Sequence, residues 1–241
     1  MRGIILLLVL ALAACGPTTT GMTPDHQSVE MARAAMRGGS PQTALQILSD
    51  ASAHGVPQSV QALVLQGDAL TQLNRPEEAE LAYSSALHRD NAWPGALIGL
   101  GRLKLASDPA TAETYFLRAV QSDPRSTIGW NDLGVARDLQ GHHDGAQQAY
   151  RQALGIDPQL SAAVVNLALS LAMSGRADEG VRMLRPLANG PTSSPKIRHD
   201  LAAALTMAGR RDEAAQILNA DLSPDQVRQA LDDYVAAKSA K

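Results

Sequence analysis

The sequence predicts an all-α fold in which pairs of helices stack along a solenoid. A short motif that begins with glycine and contains aspartate three residues later recurs every 34 residues, at Gly141, Gly175 and Gly209. Aromatic residues make up only 3% of the 241 residues, whereas alanine and leucine are abundant. This composition favours closely packed helices over a sheet sandwich. Self-similarity at such a period is typical of repeat architectures that stack helical units.

The clearest copy of the repeat runs from 127 to 160. Its marker residues are Trp130, Leu133 and Gly134 in a first helix, Ala146, Tyr150 and Ala153 in a second, and the closing Pro158. These residues resemble the tetratricopeptide repeat (TPR) at each offset, although Arg137 replaces a family tyrosine. The resemblance implies two helices per repeat, A and B, a right-handed superhelix, and a concave groove lined by the A helices.

Each marker residue has a physical reason to occupy its place. We expect Gly134 and Ala146 to face each other where helices A and B approach most closely. Trp130 and Tyr150 supply large apolar area between repeats. Gly141 follows helix A, where a left-handed residue ends the helix. Pro158 lacks an amide hydrogen and ends helix B.

Six copies and a capping helix are predicted between residues 25 and 241. The copies span 25–58, 59–93, 94–126, 127–160, 161–194 and 195–222, and their further marker residues include Gly67, Gly101, Gly175, Gly209 and Ala214. In the third copy, Asp108 and Pro109 replace the capping glycine. Ser223, Pro224 and Asp225 are favourable helix-start residues. They predict a helix over 224–238, within a 223–241 segment that covers the last repeat.

The first fifteen residues predict export and lipidation. Arg2 precedes an apolar run from 4 to 14, which is too short to cross a bilayer and has the length of a secretory leader. The ending Leu-Ala-Ala-Cys15 resembles the bacterial lipoprotein box. This resemblance implies a signal peptide at 1–14, a diacylglyceryl group on Cys15 and a tether over 15–24. Gly16 favours the outer membrane under the enterobacterial sorting rule, and an ordinary leader that contains a cysteine is the alternative.

Charge and motif content argue against several functional classes. The chain has 21 basic and 24 acidic residues, and removal of Arg2 with the leader leaves 20 against 24, a formal charge of −4. This acidity argues against nucleic acid as a partner. His142 and His143 fall in a turn, where we expect solvent to be their partner, and no histidine shows metal-ligand spacing. The sequence therefore predicts no enzyme, no metal and no cofactor apart from the lipid on Cys15.

The predicted function is protein binding in the concave groove. The family resemblance places particular side chains of the A helices there. The candidate contact residues are Asp68, Arg102, Asn131, Asp138, Asn166, Leu169 and His199. Amide groups mixed with apolar side chains suit an extended peptide or a partner helix.

The segment from 130 to 235 resembles one subfamily more closely. Its features include Asn131-Asp-Leu-Gly, Asn166-Leu-Ala-Leu and Asp221-Leu-Ser-Pro, with a departure at Gly180, where alanine is usual. These stretches resemble the TadD-like TPR lipoproteins of tight-adherence (Tad or Flp) pilus machinery. The resemblance implies a non-enzymatic assembly factor on the periplasmic face of the outer membrane, with the secretin or its associated factors as partners. An adaptor for periplasmic proteases or cell-wall hydrolases is the alternative.

Overall fold

The computed structural model describes residues 23–191 and 193–239, which form thirteen α-helices and no strand. The helices are α1 Pro24–Arg37, α2 Pro41–Ala53, α3 Val60–Gln72, α4 Pro76–Arg89, α5 Pro94–Lys104, α6 Pro109–Ser122, α7 Thr127–Leu139, α8 His143–Ile156, α9 Ser161–Met173, α10 Ala177–Asn189, α11 Pro195–Met207, α12 Arg211–Leu218 and α13 Pro224–Ser239. The predicted leader, Cys15 and nearly all of the predicted tether lie outside the described residues. The predicted all-α TPR solenoid is confirmed.

The helices stack in chain order, as a one-dimensional array does. Each even-numbered helix packs against the odd-numbered helix before it and the one after it. Successive odd-numbered helices, from α1 to α13, also contact one another. Within the described ranges the even-numbered helices make no comparable contact with each other. Because helices on the inside of a curved stack lie closest together, the odd-numbered helices line the concave face.

Left-handed residues end the A helices where the sequence predicts them. Gly141, Gly175 and Gly209 have φ angles of 75°, 92° and 79°, and Asn74 has a φ angle of 56°. At Gly141 the following amide of His142 donates to the Arg137 carbonyl oxygen at 2.9 Å, which closes a Schellman motif. A left-handed backbone favours glycine or asparagine, so this conformation explains the recurrence of these residues.

The closest approach between helices A and B in repeats 2, 3 and 4 includes a contact that the sequence analysis did not predict. Gly134 lies under the Tyr150 ring. A Cβ atom on Gly134 would lie 2.4 Å from the Tyr150 ring. The equivalent pairs, each a helix-A glycine under a helix-B aromatic ring, are Gly67 with Tyr83, Gly101 with Phe116 and Gly134 with Tyr150. The glycine is required because the ring occupies the space that a side chain would fill.

Helix α13 covers the end of the stack. Val227 and Leu231 are buried in the last apolar cluster, and Tyr234 packs against the same cluster. The helix start is capped by the Ser223 amide, which donates to the Gln226 side chain at 2.9 Å. Among the described helices, none has the length and apolarity needed to span a membrane.

Candidate protein-binding groove

A row of hydrogen-bonded side chains crosses three A helices on the concave face. Arg102 Nε donates to Asp132 Oδ2 at 2.6 Å, and Asn131 Nδ2 donates to Asp132 Oδ1 at 3.2 Å. Asn166 Nδ2 then donates to Asn131 Oδ1 at 2.9 Å. We call these four residues, from α5, α7 and α9, the polar ladder. Three of the seven candidate residues belong to it, so the structure brings Arg102, Asn131 and Asn166 together.

A pocket of about 360 Å³ lies between α3 and α5, beside the polar ladder. We call it the α3–α5 pocket, and its lining residues include Met36, Leu65, Asp68, Tyr83, Ile98 and Arg102. The Tyr83 hydroxyl donates to Asp68 Oδ1 at 2.7 Å. Burial raises the pKa of the Asp68 carboxyl, although the bond from Tyr83 and the charge of Arg102 oppose the shift. Asp68 and Arg102, both named as groove residues from the sequence, therefore line the same pocket.

Asp138 is engaged inside the solenoid. Its Oδ1 atom lies 2.7 Å from His143 Nδ1 and accepts a hydrogen bond from Ser170 Oγ at 2.7 Å. Its Oδ2 atom accepts the Tyr150 hydroxyl at 2.9 Å. Burial, together with the charge of Asp138, raises the pKa of Tyr150. Asp138 thus joins repeats 4 and 5 through internal hydrogen bonds. Both of its carboxylate oxygens have partners inside the solenoid, so neither is readily available to a ligand.

The expectation that solvent is the partner of His143 is wrong. Its side chain is only 8% exposed and contacts Asp138 at the start of α8. The sequence placed His143 in the turn, but α8 begins at that residue and turns it inward. Among the described residues, no group of three or more histidine, cysteine or acidic residues is arranged to hold a metal ion.

The C-terminal end of the groove is more apolar. A pocket of about 420 Å³ lies between α9 and α11, and its lining includes Val165, Asn166, Lys196 and Ile197. We call it the α9–α11 pocket. Asn166 therefore connects this pocket to the polar ladder.

The other two candidate residues lie outside the polar ladder and both pockets. Leu169 is half-buried and packs against the apolar cluster of the last repeats. His199 lies near the turn before α13, with Nε2 3.8 Å from Asp221 Oδ2. Asp221 in turn accepts a hydrogen bond from Arg198 Nε at 2.8 Å, and this bond lowers the pKa of the Asp221 carboxyl.

Sequence reasoning missed two residues that shape the groove, Asp132 and Tyr83. Asp132 is nearly buried and holds both Arg102 and Asn131. A signal was present, because a carboxylate about one repeat after Arg102, on the next A helix, can reach it. Tyr83 occupies in repeat 2 the position of Tyr150 in repeat 4, and only the packing reveals that its hydroxyl reaches the pocket.

Six helix pairs stacked with their first helices along one concave face define the class, a tetratricopeptide-repeat protein. Two tetratricopeptide-repeat family models match the chain, one over residues 29–96 and one over 130–238. The probable UDP-N-acetylglucosamine–peptide N-acetylglucosaminyltransferase SPINDLY of Hordeum vulgare is 31% identical over 121 residues. That match covers 47% of this chain and only 13% of the barley protein.

Two solved structures of pilus proteins have the same fold. PilW, described as a widely conserved type IV pilus biogenesis factor, superposes with a TM-score of 0.76 at 18% identity. The match covers 88% of this chain and all of the PilW chain. PilF of Pseudomonas aeruginosa superposes with a TM-score of 0.68 at 16% identity, over 80% of this chain and 88% of that one. At these identities the likeness establishes the fold.

Proposed function

We propose that this protein is a non-catalytic scaffold that holds a segment of a partner protein in its concave groove. The arrangement that supports this proposal is the polar ladder, flanked by the α3–α5 pocket on one side and the α9–α11 pocket on the other. Amide and charged groups of the ladder can pair with a partner's backbone, and the pockets can receive its side chains. An extended segment along the A helices would meet both kinds of surface.

The proposed partners are components of a Tad- or Flp-type pilus assembly, such as the secretin or its associated factors. The resemblance of residues 130–235 to TadD-like proteins supports this proposal. The fold shared with PilW and PilF is consistent with it. A groove that binds a partner segment non-covalently suits an assembly factor, since assembly requires reversible contacts.

The proposed location is the periplasmic face of the outer membrane, with the lipid on Cys15 as the anchor. The lipoprotein-box resemblance at residues 12–15 supports this location. A lipid anchor confines the scaffold to the membrane and raises its effective concentration near membrane partners.

Photocrosslinking in cells tests the groove. A benzophenone amino acid at Asn131 or at Lys196, which borders the α9–α11 pocket, is expected to capture a pilus component. The matched control is Leu81, which is 69% exposed on α4, a B helix. Equal capture from Leu81 would contradict the groove. Capture of only proteases or cell-wall hydrolases would contradict the pilus partner and leave the scaffold standing.

The Cys15→Ala variant tests the anchor. We expect the protein to leave the membrane fraction and pilus assembly to fall. Overproduction of the same variant should restore part of the assembly if the lipid acts by raising local concentration. Unchanged fractionation and unchanged assembly would refute the anchor.

A further inference from the structure

The α3–α5 pocket contains a carboxylate that lacks a cation in contact. Asp68 is half-buried, and its Oδ1 atom accepts the hydroxyl of Tyr83. None of the ion pairs among the described residues includes Asp68. Its removal from water raises the pKa of its carboxyl. A carboxylate withdrawn from water is normally paired with a cation, because desolvation is costly without one.

Arg102, which lines the same pocket, does not supply that cation. Its guanidinium donates from Nε to Asp132 at 2.6 Å, and the Asp132 side chain is only 11% exposed. Arg102 therefore makes its ion pair with Asp132, and its charge acts on Asp68 without a direct contact. The two carboxylates and one guanidinium at this point leave a net charge of −1, and Asp68 carries the excess negative charge.

The walls of the pocket suit a long side chain with a polar end. Met36, Leu65 and Ile98 present apolar surface along it. Asp68 and the Tyr83 hydroxyl lie together in the lining and offer oxygen acceptors. Lysine and arginine have this distribution, an apolar stem and a cationic tip.

We infer that the α3–α5 pocket receives a lysine or arginine side chain of the partner segment, with Asp68 as its counter-ion. This inference rests on the proposed function, because it names the feature of the partner that the groove selects. An acidic side chain would meet the excess negative charge. A neutral amide would leave the Asp68 charge without a counter-ion.

Peptide selection tests the inference. Random dodecapeptides displayed on phage are selected on the full chain in detergent, and the dissociation constants of selected peptides are measured by fluorescence polarisation. Peptides that bind the groove, defined by loss of binding to the Asn166→Trp variant, should share one basic position. Asp68→Asn should weaken their binding by about thirtyfold or more, as loss of one partner of a desolvated charge pair does. Arg102→Gln makes the pocket more negative, so the preference for a basic peptide over its norleucine form should increase.

The matched control is Asp212→Asn, which removes one negative charge from an exposed site in the first turn of α12. It should leave the dissociation constant unchanged. Replacement of the peptide's basic residue by norleucine should weaken binding to the unmodified chain and add no loss in Asp68→Asn. Thermal melting of every variant checks that the fold is intact, and Arg102→Gln keeps Asp68 in place if Asp68→Asn does not fold.

Two results overturn the inference and separate it from the proposed function. Groove-binding peptides without a basic position, or basic peptides that bind Asp68→Asn as tightly as the unmodified chain, would refute the basic-residue pocket alone. Selected peptides that all bind Asn166→Trp undiminished would refute the groove itself and, with it, the proposed function.

Discussion

Repeats 4 and 5 pack their two helices together with different side chains. In repeat 4 the Tyr150 ring lies over Gly134. One period later, repeat 5 has Leu184 and Ala168 at these positions, and both are fully buried. The large residue of the pair is therefore smaller in repeat 5 than in repeat 4, and the small residue is larger. The comparison teaches that the pair's combined volume is what the repeat requires, since helix interfaces are packed as densely as crystals.

The same comparison links a polar group to the aromatic ring. Tyr150 needs an acceptor for its hydroxyl and finds it in Asp138. One period after Asp138 stands Ala172, which has no acceptor side chain. One period after Tyr150 stands Leu184, which has no hydroxyl to pair. The acceptor and the hydroxyl are therefore present together in repeat 4 and absent together in repeat 5, as the cost of an unpaired buried polar group demands.

The largest expected effect comes from exchanging the repeat 4 pair for the repeat 5 pair. Tyr150→Leu should lower the free energy of unfolding by about 3 kcal/mol, because it opens a cavity and removes the hydrogen bond to Asp138. Gly134→Ala alone should cost about 2 kcal/mol, since its methyl group would overlap the ring. The double variant should lose clearly less free energy of unfolding than the two single losses added together. Urea unfolding measures all three, and simple additivity would contradict the volume argument.

The next effect concerns the left-handed turn of repeat 5. Gly175→Val should destabilise the protein by about 2 kcal/mol, because φ at this residue is 92° and a β-branched side chain disfavours that region. Gly155→Val is the control, because Gly155 lies in α8 with no neighbour within 4 Å of an added Cβ. The control should change the free energy of unfolding by less than about 0.5 kcal/mol, because valine is no worse than glycine inside a helix. Equal melting temperatures for the two variants would contradict the turn assignment.

A smaller effect is expected at Gly180, where repeat 4 has Ala146. An added Cβ would lie 2.3 Å from the carbonyl oxygen of Ala168, which is backbone and cannot rotate away. Gly180→Ala should therefore cost about 1.5 kcal/mol, although alanine is the better helix former. Gly155→Ala should instead stabilise the protein by about 0.5 kcal/mol. Stabilisation by both substitutions in urea unfolding would show that repeat 5 is no tighter than repeat 4 at this point.

The smallest effect is a pH dependence that belongs to repeat 2. Because burial raises the pKa of Asp68 in the folded chain, the folded state binds this proton more tightly than the unfolded state. The stabilisation from this proton is complete below the ordinary value of 3.8 and is lost as pH rises through the folded pKa. The unmodified chain should therefore gain stability relative to Asp68→Asn as the pH falls. A pH-independent difference in their unfolding free energies would contradict the shift.

The repeat period could be predicted from the sequence because its markers act locally. Left-handed caps at Gly141 and Gly175 and helix starts such as Asp108 depend on a few neighbouring residues. That Gly134 lies under the Tyr150 ring could not be predicted this way. Which side chain of helix B covers that glycine depends on the rotation of two helices about their axes, which is a property of the packed pair.

The candidate site shows the same division. Arg102, Asn131 and Asn166 were assigned to the concave face by resemblance, and the structure joins them. Asp138 was assigned to the same face of α7 as Asn131, but Tyr150 and His143 contact it from α8. Nothing within α7 distinguishes the two outcomes, because the competing partners come from another helix.

The sequence by itself determined the 34-residue period and the places where A helices end in left-handed residues, because these markers depend on interactions within about one turn. The resemblance to the tetratricopeptide repeat supplied the two helices per repeat. Only the tertiary structure decided which polar side chains pair with each other and which line a pocket. Those outcomes depend mostly on side chains from different helices, which lie up to a whole repeat apart in the chain and meet only when the helices pack.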